Sequence, residues 1–233
     1  MRRDGGAASE HAQHGRGRLM ETWDPAIQKI ADPVARELAA RGRVRCFPKD
    51  SLIIREHDPG GALFVILAGA VQVYVSGAKG QEMVLGRYGA PQYIGEMALD
   101  GDARCASVRA LEATVCSVVT RRALLSAIRT DPRIAVRMLA TVSHRSRIAT
   151  GVVKSLALLD VYTRVARLLS SLEYVEIDGL PWSRERLTQR EIARRVGACR
   201  DMISRIFKDL RAGGYVAVRD KRVRMLRQPP ARW

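Results

Sequence analysis

The stretch TQREIARRVGACRDMISRIFKDL, residues 188–210, decides the fold of the C-terminal part of this chain. Thr188 can cap a first helix, and Glu191 three positions later completes a capping box. Apolar residues then recur four positions apart, and Gly197 is typical of the end of a helix. The pattern therefore predicts a short helix that stops in a tight turn at a glycine.

A second helix is predicted to begin near Cys199, and its two faces differ in chemistry. Its apolar face consists of Ile203, Ile206, Phe207 and Leu210, and its opposite face carries Arg200, Asp201, Ser204, Arg205 and Lys208. Two short helices with a tight glycine turn and a basic outer side fit the major groove of DNA. The alternative is an ordinary amphipathic helix pair with a solvated charged face. The capping box, the turn and the charge together favour a helix-turn-helix.

The charge of the chain is strongly positive and unevenly spread. The 233 residues, enough for one large or two small domains, include 40 Lys and Arg against 24 Asp and Glu, a net charge of +16. Residues 183–233 alone hold 15 basic and 5 acidic side chains. Concentrated positive charge suits a polyanion such as DNA, RNA or an anionic membrane, and the helix pair favours duplex DNA.

Several classes of protein are disfavoured by what the sequence lacks. No apolar run approaches the ~18 residues that a membrane helix requires, and no secretory signal follows Arg2 and Arg3. The four cysteines have no CxxC spacing, which predicts free thiols in the cytoplasm and no metal site. A nucleophile elbow, an HExxH motif, a P-loop and a paired-carboxylate site are all missing, so we expect no enzyme activity.

The first part of the chain predicts a tail followed by a β-domain. Residues 1–20 have almost no apolar content and are expected to form a disordered basic tail. Residues 21–130 are expected to form a β-roll effector domain that begins with one or two short helices over 24–41. Short apolar runs separated by Gly and Pro predict antiparallel strands at 51–55, 63–67, 70–75, 82–86, 107–110 and 114–119.

Helical periodicity returns after Thr120 and predicts a dimerisation helix over 131–159. Its apolar positions alternate in steps of four and three, with one arginine among them: Met138, Val142, Arg145, Ala149, Val152, Leu156 and Leu159. Such a heptad seam is typical of a coiled-coil dimer. A helix that packs only on its own domain could show the same stripe, but a helix-turn-helix usually contacts paired half-sites, which favours the dimer.

Residues 160–233 are expected to form a winged DNA-binding domain. A helix over 161–173 and a short strand or turn over 177–182 precede the helix pair. Residues 215–218 and 222–226 alternate apolar and basic side chains, which predicts a hairpin wing whose Arg222 reaches a phosphate. The whole chain is thus predicted to be α+β.

A β-roll, a long dimer helix and a C-terminal winged helix-turn-helix, in this order, resemble the Crp-Fnr family of bacterial transcription regulators. The segments LALLDVYTRVARLL (156–169) and LTQREIARRVGACRDMISRIFKDLRAGGYV (187–216) carry most of the resemblance. FVILAGAVQVY (64–74) is similar to the strand–glycine–strand signature of the roll. The resemblance implies an N-terminal cyclic-nucleotide-binding-like roll and covers about residues 25–227.

The segment IGEMALDGDARCASV, residues 94–108, resembles the phosphate-binding cassette of the family. The resemblance implies that Glu96 accepts from a ribose hydroxyl and that Arg104 pairs with the cyclic phosphate, helped by the backbone of Gly95. An arginine fork matches phosphate oxygens, and a carboxylate is a strong acceptor for a hydroxyl. Cys105 stands beside the phosphate, where a serine is usual, and Thr150 falls where the dimer helix contacts the base.

The effector is left open between three possibilities. A cyclic mononucleotide, with cyclic AMP first, would use the cassette. Cyclic di-GMP could instead use His144, Arg145 and Arg147 for its two phosphates. Alternatively the roll has lost its ligand, and Glu96 and Arg104 form only an ion pair with each other; the protein would then be a ligand-independent regulator.

The resemblance also implies base contacts. Arg200 and Arg205 would contact guanines, and the carboxylate of Asp201 would accept from a cytosine. Cys199 replaces a usual serine, which weakens the expected cap of the helix. The candidate DNA-binding set is Thr188, Gln189, Cys199, Arg200, Asp201, Ser204, Arg205, Lys208 and Arg222. The sequence therefore predicts a homodimeric, sequence-specific transcription regulator on a twofold-symmetric duplex, with RNA polymerase as a further candidate partner.

Overall fold

The computed structural model describes residues 23–78, 80–98 and 100–230. The chain divides into two compact units. The first contains the residues up to Val73 together with Gly86–Arg145, and the second contains Tyr74–Leu85 together with the residues from Ser146 onward. The predicted disordered tail, residues 1–20, lies outside the described residues, and the three predicted domain boundaries remain predictions.

The predicted roll is built from two four-stranded sheets. One has the order β1-β8-β3-β6 and the other has the order β2-β7-β4-β5. The strands are β1 (Arg43–Phe47), β2 (Leu52–Ile54), β3 (Ala62–Ala68), β4 (Ala70–Ser76), β5 (Glu82–Gly89), β6 (Tyr93–Ile94), β7 (Ser107–Ala110) and β8 (Thr114–Thr120). All six strands expected from the sequence are present. The additional strands β1 and β6 lack a distinctive apolar run, since two arginines interrupt β1 and β6 has two residues.

Strand β3 is buried on both faces, which explains its uninterrupted apolar sequence. Leu63 and Val65 belong to one hydrophobic cluster, while Phe64 and Ile66 belong to another. Successive side chains of a strand point to opposite sides, so only a strand covered on both sides needs four apolar residues in a row. The first cluster is completed by helices α2 (Pro33–Ala40) and α3 (Arg121–Thr130), and by the helical residues 23–28, α1.

Side-chain caps mark the starts of two helices of the first unit. The carboxylate of Asp32 accepts from the backbone N–H groups of Val34 and Ala35 at the start of α2. The hydroxyl of Thr120 accepts from Ala123 N–H at the start of α3. Each cap satisfies donors that have no partner within the helix.

Helix α4 (Arg133–Leu158) has 26 residues and corresponds to the predicted dimerisation helix. Neither α4 nor any other helix in the described ranges is long and apolar enough to cross a membrane. Two positions of the predicted seam have another role. Met138 is buried in the first unit's core, and Arg145 donates to the carbonyl oxygen of Tyr93. The expectation that all seven positions form a dimer seam is therefore wrong for these two, because the helix buries that edge against its own domain.

The second unit holds a smaller helical core. Its elements after α4 are α5 (Val161–Ser170), β9 (Tyr174–Ile177), β10 (Leu180–Ser183), α6 (Gln189–Val196), α7 (Arg200–Ala212), β11 (Val216–Arg219) and β12 (Arg222–Met225). The segment predicted as a strand or turn over 177–182 belongs to a β9–β10 hairpin. Helix α5 ends three residues before the predicted limit, since Tyr174 already pairs with Ser183. The core is formed by Val165, Leu169, Ile192, Ile203, Phe207, Leu210 and Val223.

Candidate functional site

The helix pair α6–α7 forms as the sequence indicates. The N–H group of Glu191 donates to the hydroxyl of Thr188 at 3.1 Å, which caps α6. Helix α6 ends at Gly197, whose φ of 64° lies in the left-handed region that favours glycine. Cys199 occupies the cap position of α7 and makes no side-chain hydrogen bond there. The weak cap expected from cysteine is thereby confirmed.

Helix α7 presents its polar residues to solvent. Ile203, Phe207 and Leu210 are buried, whereas Arg200, Asp201, Ser204, Arg205 and Lys208 are all exposed. No hydrogen bond or ion pair with another described residue engages the side chains of Arg200, Arg205 or Lys208. The exposed side of α7 therefore offers unpaired cations to a ligand.

Two of the three arginines of α6 are engaged differently from those of α7, although the sequence gives them the same charge. Within the second unit, Arg194 pairs with Glu82 at 2.9 Å. The guanidinium of Arg195 donates to both carboxylate oxygens of Glu185 and to Glu191. These two side chains stabilise the domain, whereas Arg190, the third arginine of α6, is exposed as the cations of α7 are.

A groove of about 600 Å³ lies beside α7 in the DNA-binding unit. The groove is lined by Gln189 of α6, by Ser204 and Lys208 of α7, and by Val218 and Val223 of the wing, among others. Three residues of the predicted DNA-binding set thus share one concave surface. Thr188 is exposed at the beginning of α6, next to Gln189.

The predicted wing is present as the β11–β12 hairpin, but Arg222 has an internal role. Its Nη1 donates to the carbonyl oxygens of Ser183 and Arg184, and the side chain is half-buried. The hydroxyl of Ser183 accepts from the N–H of Val223 at 3.0 Å. Arg222 therefore helps to hold the wing against the end of β10, and its contact with a phosphate remains a prediction.

The predicted cassette brings Gly95, Glu96 and Arg104 together at one end of the roll. The guanidinium of Arg104 donates to the carbonyl oxygens of Gly95 (2.9 Å) and Ala62 (2.8 Å). Gly95 has a φ of 84°, and a Cβ atom there would lie 2.8 Å from Nη1 of Arg104. Glycine is thus required by the backbone and by the close approach of the guanidinium. Burial lowers the pKa of Arg104, which nonetheless stays charged because guanidinium is such a weak acid.

Glu96 pairs with Arg145 of α4 and not with Arg104. The carboxylate lies 2.6 Å from Nη1 of Arg145, and the side chains are only 4% and 16% exposed. The Arg145 guanidinium also stacks over the ring of Tyr88 at 4.4 Å. The expectation of a Glu96–Arg104 ion pair in a ligand-free roll is therefore wrong, because each group has another partner. Arg145 is the one arginine among the apolar positions of the predicted seam, and this exception was the feature of the sequence that indicated a polar contact there.

The other two predicted pocket residues, Cys105 and Thr150, make separate contacts. Cys105 follows Arg104, its sulfur lies 3.6 Å from the sulfur of Met97, and burial raises the pKa of its thiol. Thr150 lies on α4 in the second unit, where its hydroxyl donates to the carbonyl of Ser146. No group of three or more His, Cys, Asp or Glu side chains suited to a metal lies within the described ranges.

Comparison with known proteins agrees with both parts of this site. Residues 44–131 match the cyclic nucleotide-binding domain, and residues 163–230 match the Crp-like helix-turn-helix domain. The CRP-like protein Clp of Xanthomonas campestris is 29% identical over 208 residues, which cover 85% of this chain and 90% of that protein. The cAMP-activated global transcriptional regulator CRP of Escherichia coli is 27% identical over 199 residues, which cover 82% of this chain and 93% of that protein.

A solved structure shows the same likeness. The structure of Clp from X. campestris, described as a c-di-GMP responsive global regulator, matches with a TM-score of 0.76 and 27% identity. The match covers 83% of this chain and 98% of that one. These curated relatives are transcription regulators and not enzymes.

Proposed function

Because this chain belongs to the Crp-Fnr family of transcription regulators, we propose that it binds a twofold-symmetric DNA site as a homodimer under the control of a cyclic nucleotide. The unpaired cations of α7 carry the DNA part of this proposal. The N-terminal residues of a recognition helix contact base edges in the major groove, where arginine pairs with guanine and a carboxylate accepts from cytosine. Arg200, Asp201 and Arg205 take these roles, with Ser204, Lys208, Thr188, Gln189 and Cys199 around them.

The dimer would form along an exposed face of α4. Successive positions on this face are three or four residues apart: Leu139, Val142, Ser146, Ala149, Val153 and Leu156. Three of them belong to the predicted seam, and each of the other three lies one residue after a predicted position. Leu139 and Val153 are 66% and 64% exposed, although both are large and apolar. A second copy of the same helix would bury this seam as a coiled coil. Two recognition helices about 34–36 Å apart would then meet successive major grooves.

We expect Val153→Glu to raise the dissociation constant of the dimer at least tenfold. A carboxylate in the seam either loses its hydrating water or repels the same carboxylate of the second copy. Val136→Glu is the matched control, since Val136 is 67% exposed on α4 but lies outside the seam. Sedimentation velocity over a range of concentrations measures the dissociation constant of each variant. Dissociation of the Val136 variant alone would place the interface on another face of the helix.

The effector pocket we propose is the end of the roll that holds Glu96 and Arg104. Two N–H groups of Arg104 are used by backbone carbonyls, which fixes the plane of the guanidinium. An arginine side chain has five N–H donors, so three remain for a phosphate. The carboxylate of Glu96, already oriented by Arg145, would accept from a ribose hydroxyl. Cys105 completes the proposed pocket within the first unit, the base contact of Thr150 stays a prediction, and cyclic AMP is the first candidate ligand.

Cyclic di-GMP is the second candidate, favoured by the similarity to the c-di-GMP responsive regulator Clp. In this chain its two phosphates would use the exposed His144 and Arg147. Arg145 is less suited to this role, because its guanidinium is committed to Glu96. The two candidates therefore depend on different side chains.

Calorimetric titration of the full chain with cyclic AMP, cyclic GMP and cyclic di-GMP tests the effector. With cyclic AMP in the roll, Arg104→Lys weakens binding at least tenfold, because lysine keeps the charge but loses the fork. Arg147→Ala leaves that affinity unchanged. The opposite pattern, with loss only for Arg147→Ala, supports cyclic di-GMP. DNA binding with no nucleotide bound identifies a ligand-independent regulator.

The effector would act by binding one pose of the DNA-binding domains more tightly than the other, since equal affinity for both shifts nothing. The N-cap Asp160, whose carboxylate accepts from Thr163 N–H, starts the helix after α4 and marks the junction at which the pose would change. RNA polymerase is the further partner we propose for the DNA-bound dimer. The cytoplasm, where bacterial DNA lies, is the proposed location.

A further inference from the structure

The exposed side of α7 contains one residue that neither charge nor hydrogen bonding explains. Met202 lies in the first turn of the helix, directly after Arg200 and Asp201, and is 38% exposed. It is the one large apolar side chain of α7 that is exposed, since Ile203, Phe207 and Leu210 are buried. A partly exposed apolar side chain can gain free energy by burying its surface against a binding partner.

The position of Met202 on the helix is suited to a contact with bases. Each residue advances about 100° around an α-helix, so Met202 lies at the edge of the exposed face and not on the buried apolar face. The N-terminal turn of a recognition helix is the part that reaches base edges in the major groove. Asp201, the neighbour of Met202 in this turn, is a proposed base contact.

The major groove has a single apolar feature, the 5-methyl group of thymine, among hydrogen-bond donors and acceptors. Methionine is unbranched, flexible and polarisable, so its thioether can follow a methyl group whose position varies slightly. We infer that Met202 contacts the 5-methyl group of one thymine in each half-site, beside the base pairs addressed by Arg200 and Asp201. This inference rests on the proposed docking of α7 in the major groove.

Deoxyuridine substitution tests the contact, because it removes the methyl group and leaves every hydrogen-bonding group of the base in place. A duplex is first selected from a random pool with the unaltered chain. Each thymine of a half-site is then replaced singly by deoxyuridine. We expect one thymine per half-site at which the replacement weakens binding about fourfold, the ratio for burial of one methyl group.

Variants of Met202 assign the effect to this side chain. Met202→Ala is expected to bind the thymine and deoxyuridine duplexes equally, while Met202→Leu keeps most of the difference. Leu226→Ala is the matched control, because Leu226 is an exposed apolar residue outside α7, and it should keep the full difference. Thermal unfolding confirms that each variant is folded.

Two results would overturn the inference while leaving the DNA-binding function intact. One is tight binding of the selected duplex with no thymine sensitive to deoxyuridine. The other is an unchanged thymine preference in Met202→Ala. If the unaltered chain selects no duplex at all, the proposed contacts of α7 with DNA fail, and the assignment of Met202 fails with them.

Discussion

Replacement of Arg145 by alanine is expected to lower the free energy of unfolding of the first unit by about 3–5 kcal/mol, because it strands a buried carboxylate. The carboxylate of Glu96 is 4% exposed, and Arg145 lies 2.6 Å from it. The variant also removes the hydrogen bond to the carbonyl of Tyr93 and the stacking over Tyr88. Urea titration followed by circular dichroism measures the loss.

A double substitution separates the cost of the stranded charge from the loss of packing. Glu96→Gln together with Arg145→Gln leaves neither member of the pair charged, so we expect it to be less destabilising than Arg145→Gln alone. Arg145→Lys should lie between the native chain and alanine, since it keeps the charge but loses the planar stack. Strictly additive effects of the two glutamine substitutions would show that the pair is not coupled.

Arg200→Ala and Arg205→Ala are expected to weaken binding of the selected duplex by about 1–3 kcal/mol each and to relax specificity at one base pair per half-site. Both guanidinium groups are exposed on α7 and engage no described residue, so neither loss should alter the fold. A binding-selection assay on each variant gives the base preference at every position. An unchanged preference would contradict the base contacts.

Two further variants distinguish base contacts from general charge. Lys154→Ala removes an exposed cation of α4 outside the helix-turn-helix and should leave the preference and the affinity unchanged. Arg222→Ala should weaken all duplexes alike and lower the salt slope by about one if its side chain reaches a phosphate. Thermal unfolding must accompany this variant, because Arg222 also holds Ser183 and Arg184. Loss on one sequence only would argue against a phosphate contact.

The helix-turn-helix could be predicted nearly residue by residue. The cap at Thr188, the stop at Gly197 and the missing cap at Cys199 all depend on groups within four positions of each other. The division of α7 into a buried and an exposed face follows from the same short-range periodicity. The strands of the roll could be predicted equally well wherever an apolar run such as that of β3 crosses the core.

Prediction was weaker where a side chain chooses between distant partners. The heptad pattern of α4 did not show which of its positions pack on the roll, and only the tertiary structure places Met138 and Arg145 there. The β9–β10 hairpin was recognised as a strand or turn and not as a pair, since its residues alternate weakly. Basic residues close in sequence also differ in use: Arg194 and Arg195 are paired, whereas Arg200 and Arg205 are not.

The sequence by itself determined the two domains' classes and the polar face of α7, because caps, turns and periodicity act between neighbours along the chain. Only the tertiary structure decided that Glu96 pairs with Arg145 and that Arg104 is held by the carbonyls of Gly95 and Ala62. It also decided that Arg222 of the wing donates to the carbonyls of Ser183 and Arg184. A guanidinium can pair with any carboxylate or carbonyl brought within reach. Its partner is therefore set by which strands and helices meet, and not by the residues beside it.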